Sequence, residues 1–397
     1  MLISMRSTIV CHIFCTVIDN FGDAGVCWRL ARQLASEYSW KVHLFINKLT
    51  VLKHLAPGLD SKCEQQVLAG VAIEHWHNLR FTKPISTVLS VANVVIEAFA
   101  CHLPPLYLAA MEKCPSRVVW INLEYLSFEH WVADFHLRTS PHPRYALTKT
   151  FFFPGFDTHT GGVLCEQDLD VHRCNFIKSL AARECWWSTL GIPKPDPSAI
   201  SVSLFSYENP AIDALLEQWR DGTDQLVLLV PEGKISRSIA RFFGHPIGSR
   251  AFAAGTNVST CSLSIHILPF TDQLGYDKLL WSSDINFVRG EDSFVRAQWA
   301  RKPFIWHIYP QANNAHLQKL DAALTRIGLT LESRPRDALI RFWHAWNGNP
   351  MYKILDWQDF IQHREVFRSR AYAWADELAA IGNLAKNLSI FVQNTLK

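Results

Sequence analysis

The chain has 397 residues, 49% of them hydrophobic and 19% charged, which at roughly 100 to 200 residues per domain is enough for two ordinary cores. Disorder and coiled coil are excluded by that composition. Lys plus Arg at 39 against Asp plus Glu at 36 leaves a formal charge of +3, too little to hold a nucleic-acid backbone or an anionic membrane through a broad field.

The apolar run Thr8 to Ile18 has only Arg6 before it, contains His12, and meets Asp19 without a small-residue cleavage site, so it is expected to be a buried first strand rather than a signal peptide. Val42 to Ile46, Val91 to Ile96 and Val118 to Ile121 are also nearly continuous in apolar residues, as parallel strands covered on both faces require. Between the first two strands, Val26, Leu30, Leu34 and Tyr38 recur at helical spacing. The longer apolar run Leu89 to Met111 carries Glu97, His102 and Pro104-Pro105, so no membrane span is expected there. From Thr139 to Gly162 the pattern breaks into Pro, His, Gly and aromatic residues, and a tryptophan-rich helical stretch follows near Trp186.

Gly191 to Pro197 holds three prolines in five residues and is expected to be the interdomain linker. Beyond it, Ile200 to Phe205, Leu226 to Val230, Ile265 to Leu268, Ile285 to Val288 and Phe304 to Ile308 read as strands separated by helical patterns, with a long helical tail from about Glu365. The expected fold class is α/β, two Rossmann-like domains facing each other across a cleft. Residues 1–190 would form the first and 191–369 the second, with a helix of about 370–397 packing back on the first. The ten cysteines include no C-x-x-C pair and are expected to be reduced thiols of a cytoplasmic protein.

In this architecture function belongs to loops at the carboxyl ends of strands. The first is Asp19-Asn20-Phe21-Gly22-Asp23, between strand one and helix one, where dinucleotide enzymes carry G-x-G-x-x-G. Two carboxylates in that place disfavour a pyrophosphate but can converge on one cation or one proton. The same spacing also fits a helix cap by Asp23 and an Asx-turn at Asp19.

The second loop, Arg289-Gly290-Glu291-Asp292-Ser293, also leaves a strand and opens a helix, whose amides together with Arg289 suit an anion. Glu291 suits sugar hydroxyls or a cation, and an ordinary N-cap at Asp292 or Ser293 is the alternative. Phe270 and Gln273, after another strand, suit base stacking and edge reading, as does Tyr207; a core aromatic is the competing reading for Phe270 and Tyr207. Metal signals are weak: His75-x-His77 has no third ligand nearby, and Asp168-Leu169-Asp170 matches D-x-D only formally, in an irregular region. No P-loop, H-E-x-x-H or G-x-S-x-G motif occurs.

Cys15-Thr16-Val17-Ile18 leading into Asp19 through Asp23, with Trp28-Arg29-Leu30-Ala31-Arg32 behind, resembles the EarP family of elongation factor P arginine rhamnosyltransferases. Leu268-Pro269-Phe270, Tyr276-Asp277, Leu279-Leu280-Trp281, the run Asn286 through Trp299, and Trp306 through Gln311 resemble that family's donor-binding half. Ala24 departs from the pattern, where a larger aliphatic residue is expected. The resemblance implies a GT-B fold, TDP-β-L-rhamnose as donor, an arginine of elongation factor P as acceptor, inversion at the anomeric carbon, and activation of that factor for ribosomes stalled at polyproline.

On this reading Asp23 would be the general base, Asp19 would orient the acceptor, and Glu291 would act beside them. Asn20, Phe21, Gly22, Tyr207, Phe270, Gln273, Arg289, Gly290, Glu291, Asp292 and Ser293 would surround the donor. Neither a metal nor another cofactor is expected, and no nucleic acid or membrane is an expected partner. The competing classes are another nucleotide-sugar enzyme, such as an epimerase, and a non-catalytic adaptor of elongation factor P.

Overall fold

A computed structural model describes residues 8–76, 91–245 and 252–397 of the chain; the side chains of Asn20 and Ala312 are outside the description. His77 and the beginning of the Leu89 to Met111 run also lie outside the described residues. The chain divides into two compact units, one of residues 1–167 with 378–397 and one of residues 168–377.

The first unit is built on an eight-stranded sheet. Its strands are β1 (Val10–Cys15), β2 (Lys41–Ile46), β3 (Gln65–Leu68), β4 (Val71–His75), β5 (Val94–Ala98), β6 (Val119–Leu123), β7 (Thr139–Pro141) and β8 (Thr148–Phe152), ordered β3-β4-β2-β1-β5-β6-β8-β7. The run from β4 to β8 is parallel, and β3 and β7 close the two edges antiparallel. β1, β5 and β6 are almost wholly buried, as their nearly continuous apolar runs require. On one face Phe14, Phe45, Trp76, Val95, Tyr107 and Trp120 form a continuous core.

The second unit has a six-stranded sheet of β9 (Ile200–Leu204), β10 (Leu226–Pro231), β11 (Asn257–Thr260), β12 (Leu263–Leu268), β13 (Ile285–Arg289) and β14 (Phe304–His307), in the order β11-β12-β10-β9-β13-β14. Among its described strands only β11, at the edge, is antiparallel. Trp219, Phe287, Trp346 and Trp357 meet edge to face in its core, with centroids 4.9 to 5.9 Å apart. Helix Gln273–Ser282 is tied to helix Asp292–Trp299 by a buried bidentate pair: Arg296 Nε and Nη2 each donate to Asp277 at 2.8 Å.

Both sheets are doubly wound. Leaving aside antiparallel strands, each places its first strand beside its fourth, in β1 next to β5 and in β9 next to β13. At that switch the connections before and after lead to opposite faces, which opens a crevice at the strands' carboxyl ends. The two loops singled out in the sequence leave β1 and β13.

Several boundaries differ from the sequence-based expectation. The units part between Gln167 and Asp168, so the segment 168–190, assigned above to the first domain, belongs to the second. Its helices Leu169–Lys178 and Leu180–Thr189 pack there: Phe176 lies 5.7 Å from Trp281, and Lys278 Nζ lies 5.6 Å from the Trp186 ring. Gly191 to Pro197 is irregular as expected, but lies inside the second unit.

β7 and β8 stand where the pattern seemed to break, because runs of three and five residues among Pro, His and Gly are too short to show periodicity. The long helical tail is two helices, Arg364–Ile381 and Leu384–Leu396, separated at Gly382, whose φ is +93°. Asn383 caps the second, its Oδ1 accepting the Lys386 amide at 2.7 Å. Asn383→Ala is expected to cost about 1 kcal/mol of stability, read as a lower denaturant midpoint with an unchanged slope.

Candidate active site

The loop after β1 enters the helix Asn20–Tyr38 with Asp19 at the cap position. Asp23, 1% exposed, folds back beneath the loop: its Oδ2 accepts the amides of Ile18 at 2.7 Å and Asp19 at 2.8 Å. The Tyr125 hydroxyl donates to its Oδ1 at 3.2 Å. Asp23 thus binds backbone at the helix entry, where Asp19 and not Asp23 holds the cap position, and it is also reached by a side chain from another strand end. Asp19 is half-buried. The Gly22 amide donates to its carbonyl at 2.7 Å, and a Cβ on Gly22 would stand 2.9 Å from Asp19 Oδ2, so a larger residue there would push the Asp19 carboxylate aside. Phe21 is half-buried and meets His54 edge to face at 5.9 Å. Of Asn20 only the backbone, at the helix start, is described.

Across the switch, the turn after β5 has Phe99, Ala100 and His102 all at φ between +51° and +59°. Left-handed backbone at non-glycine residues costs on the order of 1 to 3 kcal/mol each and persists where surroundings over-determine it. Here Glu97, 1% exposed, accepts the His102 amide on Oε1 at 3.0 Å, and the Phe99 amide donates to the Leu123 carbonyl at 2.7 Å. The Phe99 ring stacks on Tyr125 with centroids 4.3 Å apart.

In the second unit Arg289 closes β13 and is clasped by aromatic rings. Its guanidinium carbon lies 4.4 Å from the Phe205 centroid and 4.8 Å from that of Tyr207, and Nη1 reaches the Ser206 carbonyl at 3.5 Å. Such stacking fixes the plane of the guanidinium while its charge persists, as a planar, bidentate phosphate binder requires. Tyr207 meets His307 and Tyr309 edge to face at 5.2 and 5.6 Å. Burial first, then the charges of Arg289 and His316, pull the His307 imidazole down to about 3, and its Nδ1 shares a 2.7 Å hydrogen bond with the Ser206 hydroxyl. That ring is neutral at pH 7.

Gly290 turns the loop at φ +62°, and its carbonyl accepts the Trp306 indole N–H at 2.8 Å. Glu291 takes the cap position of helix Asp292–Trp299 without a side-chain cap bond, rather than Asp292 or Ser293. Ser293 is buried and works within the loop, its hydroxyl donating to the Arg289 carbonyl and accepting the Arg289 amide at 3.0 Å. Asp292 is half-buried in the first turn. After β12, Phe270 is half-buried and Gln273, nearly inaccessible, opens helix Gln273–Ser282, which Asp272 caps through the Gly275 amide at 2.7 Å.

The structure thus joins Asp19 to Asp23 in one unit, and Arg289 to Gly290, Ser293 and Tyr207 in the other. Tyr207 lies against Arg289, with its ring centroid 4.8 Å from the guanidinium carbon, whereas the sequence grouped it with Phe270. Phe205 and Tyr309 were missed as candidates; both stand within one or two residues of a strand's carboxyl end, which was the available signal. Among the described residues no group of three or more His, Cys, Asp or Glu side chains is arranged to hold a metal ion. Asp170 pairs instead with Arg173 at 2.9 Å and Arg301 at 3.3 Å; partial burial opposes them, yet these cations hold its carboxyl below the ordinary value. His75 Nε2 hydrogen-bonds the Asn47 carbonyl at 3.0 Å. No disulfide joins the described cysteines, and no described helix is long and apolar enough to cross a membrane.

Comparison with known proteins gives a consistent result. Residues 11–393 match the family described as Elongation-Factor P (EF-P) rhamnosyltransferase EarP. A protein-arginine rhamnosyltransferase of Pseudomonas putida is 40% identical over 386 residues, covering 97% of this chain and 98% of the relative. One from Shewanella oneidensis is 42% identical over 392 residues, covering 96% and 97%. Among solved structures, one described as the structural basis for EarP-mediated arginine glycosylation of translation elongation factor EF-P is 30% identical, covers 98% of this chain and 99% of its own, and superposes with a TM-score of 0.68. A glycosyltransferase from Rickettsia africae, 9% identical with a TM-score of 0.51 and coverage of 98% and 99%, shares the fold.

Proposed function

Because the chain belongs to the EarP family of rhamnosyltransferases, with the GT-B fold and the activity of a protein-arginine rhamnosyltransferase, we propose that it moves L-rhamnose from TDP-β-L-rhamnose to one arginine of elongation factor P. The reaction is a single displacement with inversion. A guanidinium nitrogen forms its bond to the anomeric carbon as the bond to the diphosphate oxygen breaks, and the nitrogen gives one proton to a carboxylate. The modified factor then serves ribosomes stalled at polyproline, which places the reaction in the cytoplasm.

The observation that carries this reading is the contrast between the two switch points. One bears a carboxylate pair, Asp19 and Asp23, and the other an aromatic-clasped cation, Arg289. An arginine is a weak nucleophile, with its proton held to a pKa above about 12 and its lone pair delocalised, so it needs acids that align it and take a proton. The leaving diphosphate needs the reverse, a fixed positive group together with amides at a helix start. Phe270 and Gln273 are assigned to the base, Tyr207 and Arg289 to the diphosphate, and Glu291 and Asp292 to the sugar.

The test is release of TDP from TDP-β-L-rhamnose by purified protein with and without elongation factor P. Release only when the factor is present, with the factor gaining mass, supports the proposal. An epimerase would alter the donor without the factor, and an adaptor would bind the factor and leave its mass unchanged. Since Arg289 and loop amides neutralise the leaving group in this account, the same assay in excess EDTA should run at an unchanged rate. Loss of activity that Mg²⁺ or Mn²⁺ restores would contradict that part.

A further inference from the structure

We propose that Tyr125 is a positioning residue for the transfer: it fixes the carboxylate of Asp23 so that one defined acceptor position faces the incoming guanidinium. The inference rests on the role given to Asp23 above and extends it to a second strand end. An ionised carboxylate offers about four acceptor positions over its two oxygens. The amides of Ile18 and Asp19 take two on Oδ2, and the Tyr125 hydroxyl takes one on Oδ1. Gripped at both oxygens, the carboxylate cannot turn about its bond to Cβ, and the remaining position on Oδ1 has a fixed direction. Without Tyr125, the backbone amides would still hold Oδ2, but Oδ1 would lose the hydroxyl that fixes it.

The position of Tyr125 is itself set by its neighbours. It lies two residues beyond β6, 36% exposed, with its ring flat against Phe99. Phe99 sits in the turn of three left-handed residues, the last of which, His102, donates its amide to the buried carboxylate of Glu97. Glu97 in turn faces Lys149 Nζ at 3.7 Å, across from β5 to β8. A carboxylate in the middle of a parallel sheet and a strained turn are both unfavourable in isolation, and together they place one ring under one hydroxyl. The route runs from Glu97 through the turn and Phe99 to Tyr125 and Asp23, and links the two strand ends that flank the switch point.

The experiment uses the full chain with TDP-β-L-rhamnose and elongation factor P. Tyr125→Phe keeps the ring on Phe99 and removes only the hydroxyl. It is expected to lower kcat by about tenfold or more, the scale of one hydrogen bond to a charged group, while KM for the factor and affinity for TDP stay at their wild-type values. Phe99→Leu, which loosens the stack, should lower kcat by a smaller factor with the same unchanged KM. In an Asp23→Ala background, where no carboxylate remains to be positioned, Tyr125→Phe should cause no further loss of the residual single-turnover rate. Wild-type kcat in Tyr125→Phe, a fall confined to KM or donor affinity, or losses that multiply in the double variant would overturn the inference while leaving Asp23 as the base. Wild-type turnover in Asp23→Ala would overturn the underlying assignment instead.

Discussion

Asp23→Asn is expected to fold and to bind TDP normally, yet to lose turnover by about 10² to 10⁴, the usual worth of a positioned general base. The substitution is mild for the loop. An amide oxygen can replace Oδ2 as acceptor for Ile18 and Asp19, which donate at 2.7 and 2.8 Å, so the helix entry is preserved. On the other side the amide nitrogen would face the Tyr125 hydroxyl and present protons where a guanidinium needs an acceptor. The ground state would keep its architecture while the proton has nowhere to go. Rapid-quench turnover beside TDP calorimetry checks this, and a folded Asp23→Asn protein with near-normal turnover would remove Asp23 from the mechanism.

The donor loop should separate binding from chemistry. Phe270→Ala removes a half-buried aromatic at the end of β12, and should weaken TDP by about 1 to 3 kcal/mol, the range for losing one stacked base, with a comparatively small change in single-turnover rate at saturating donor. Glu291→Ala should do the opposite. Its carboxylate stands at the start of helix Asp292–Trp299 without capping it, and beside a phosphate it would be repelled. Its place in the account is with the sugar hydroxyls and the cationic acceptor, which gain charge or shift position only as the bond to phosphate breaks. Interactions realised only in the transition state lower kcat rather than affinity. Unchanged TDP affinity in Phe270→Ala, or a Glu291→Ala effect confined to affinity, would reverse the division.

How much of this was legible in the sequence depended on scale. Strands as buried as β1, β5 and β10 announce themselves as largely apolar runs, and their alternation with helical spacing identified doubly wound domains. β7 and β8 did not, because three to five residues at a sheet margin carry too little pattern. The unit boundary was misplaced for another reason: Pro193, Pro195 and Pro197 mark irregular backbone, whereas the division is set by which core Phe176 and Trp186 join.

Within the candidate site, groupings confined to one contiguous loop were legible, as at Asp19 to Asp23 and Arg289 to Ser293. It was hidden where partners come from separate strands. Tyr125 lies 102 positions from the carboxylate it reaches, and Phe205 lies 84 residues before the guanidinium it supports. Spacing along the chain does not record which strand ends a doubly wound sheet brings together, and only the strand order does.

The central claim, transfer of one rhamnose to one arginine, is tested most directly by intact mass and peptide mapping of purified elongation factor P after incubation with this protein and TDP-β-L-rhamnose. The account predicts a single added deoxyhexose on one arginine, formed by the wild type and not at appreciable rate by Asp23→Asn. A factor of unchanged mass, or sugar found on a side chain other than arginine, would contradict it.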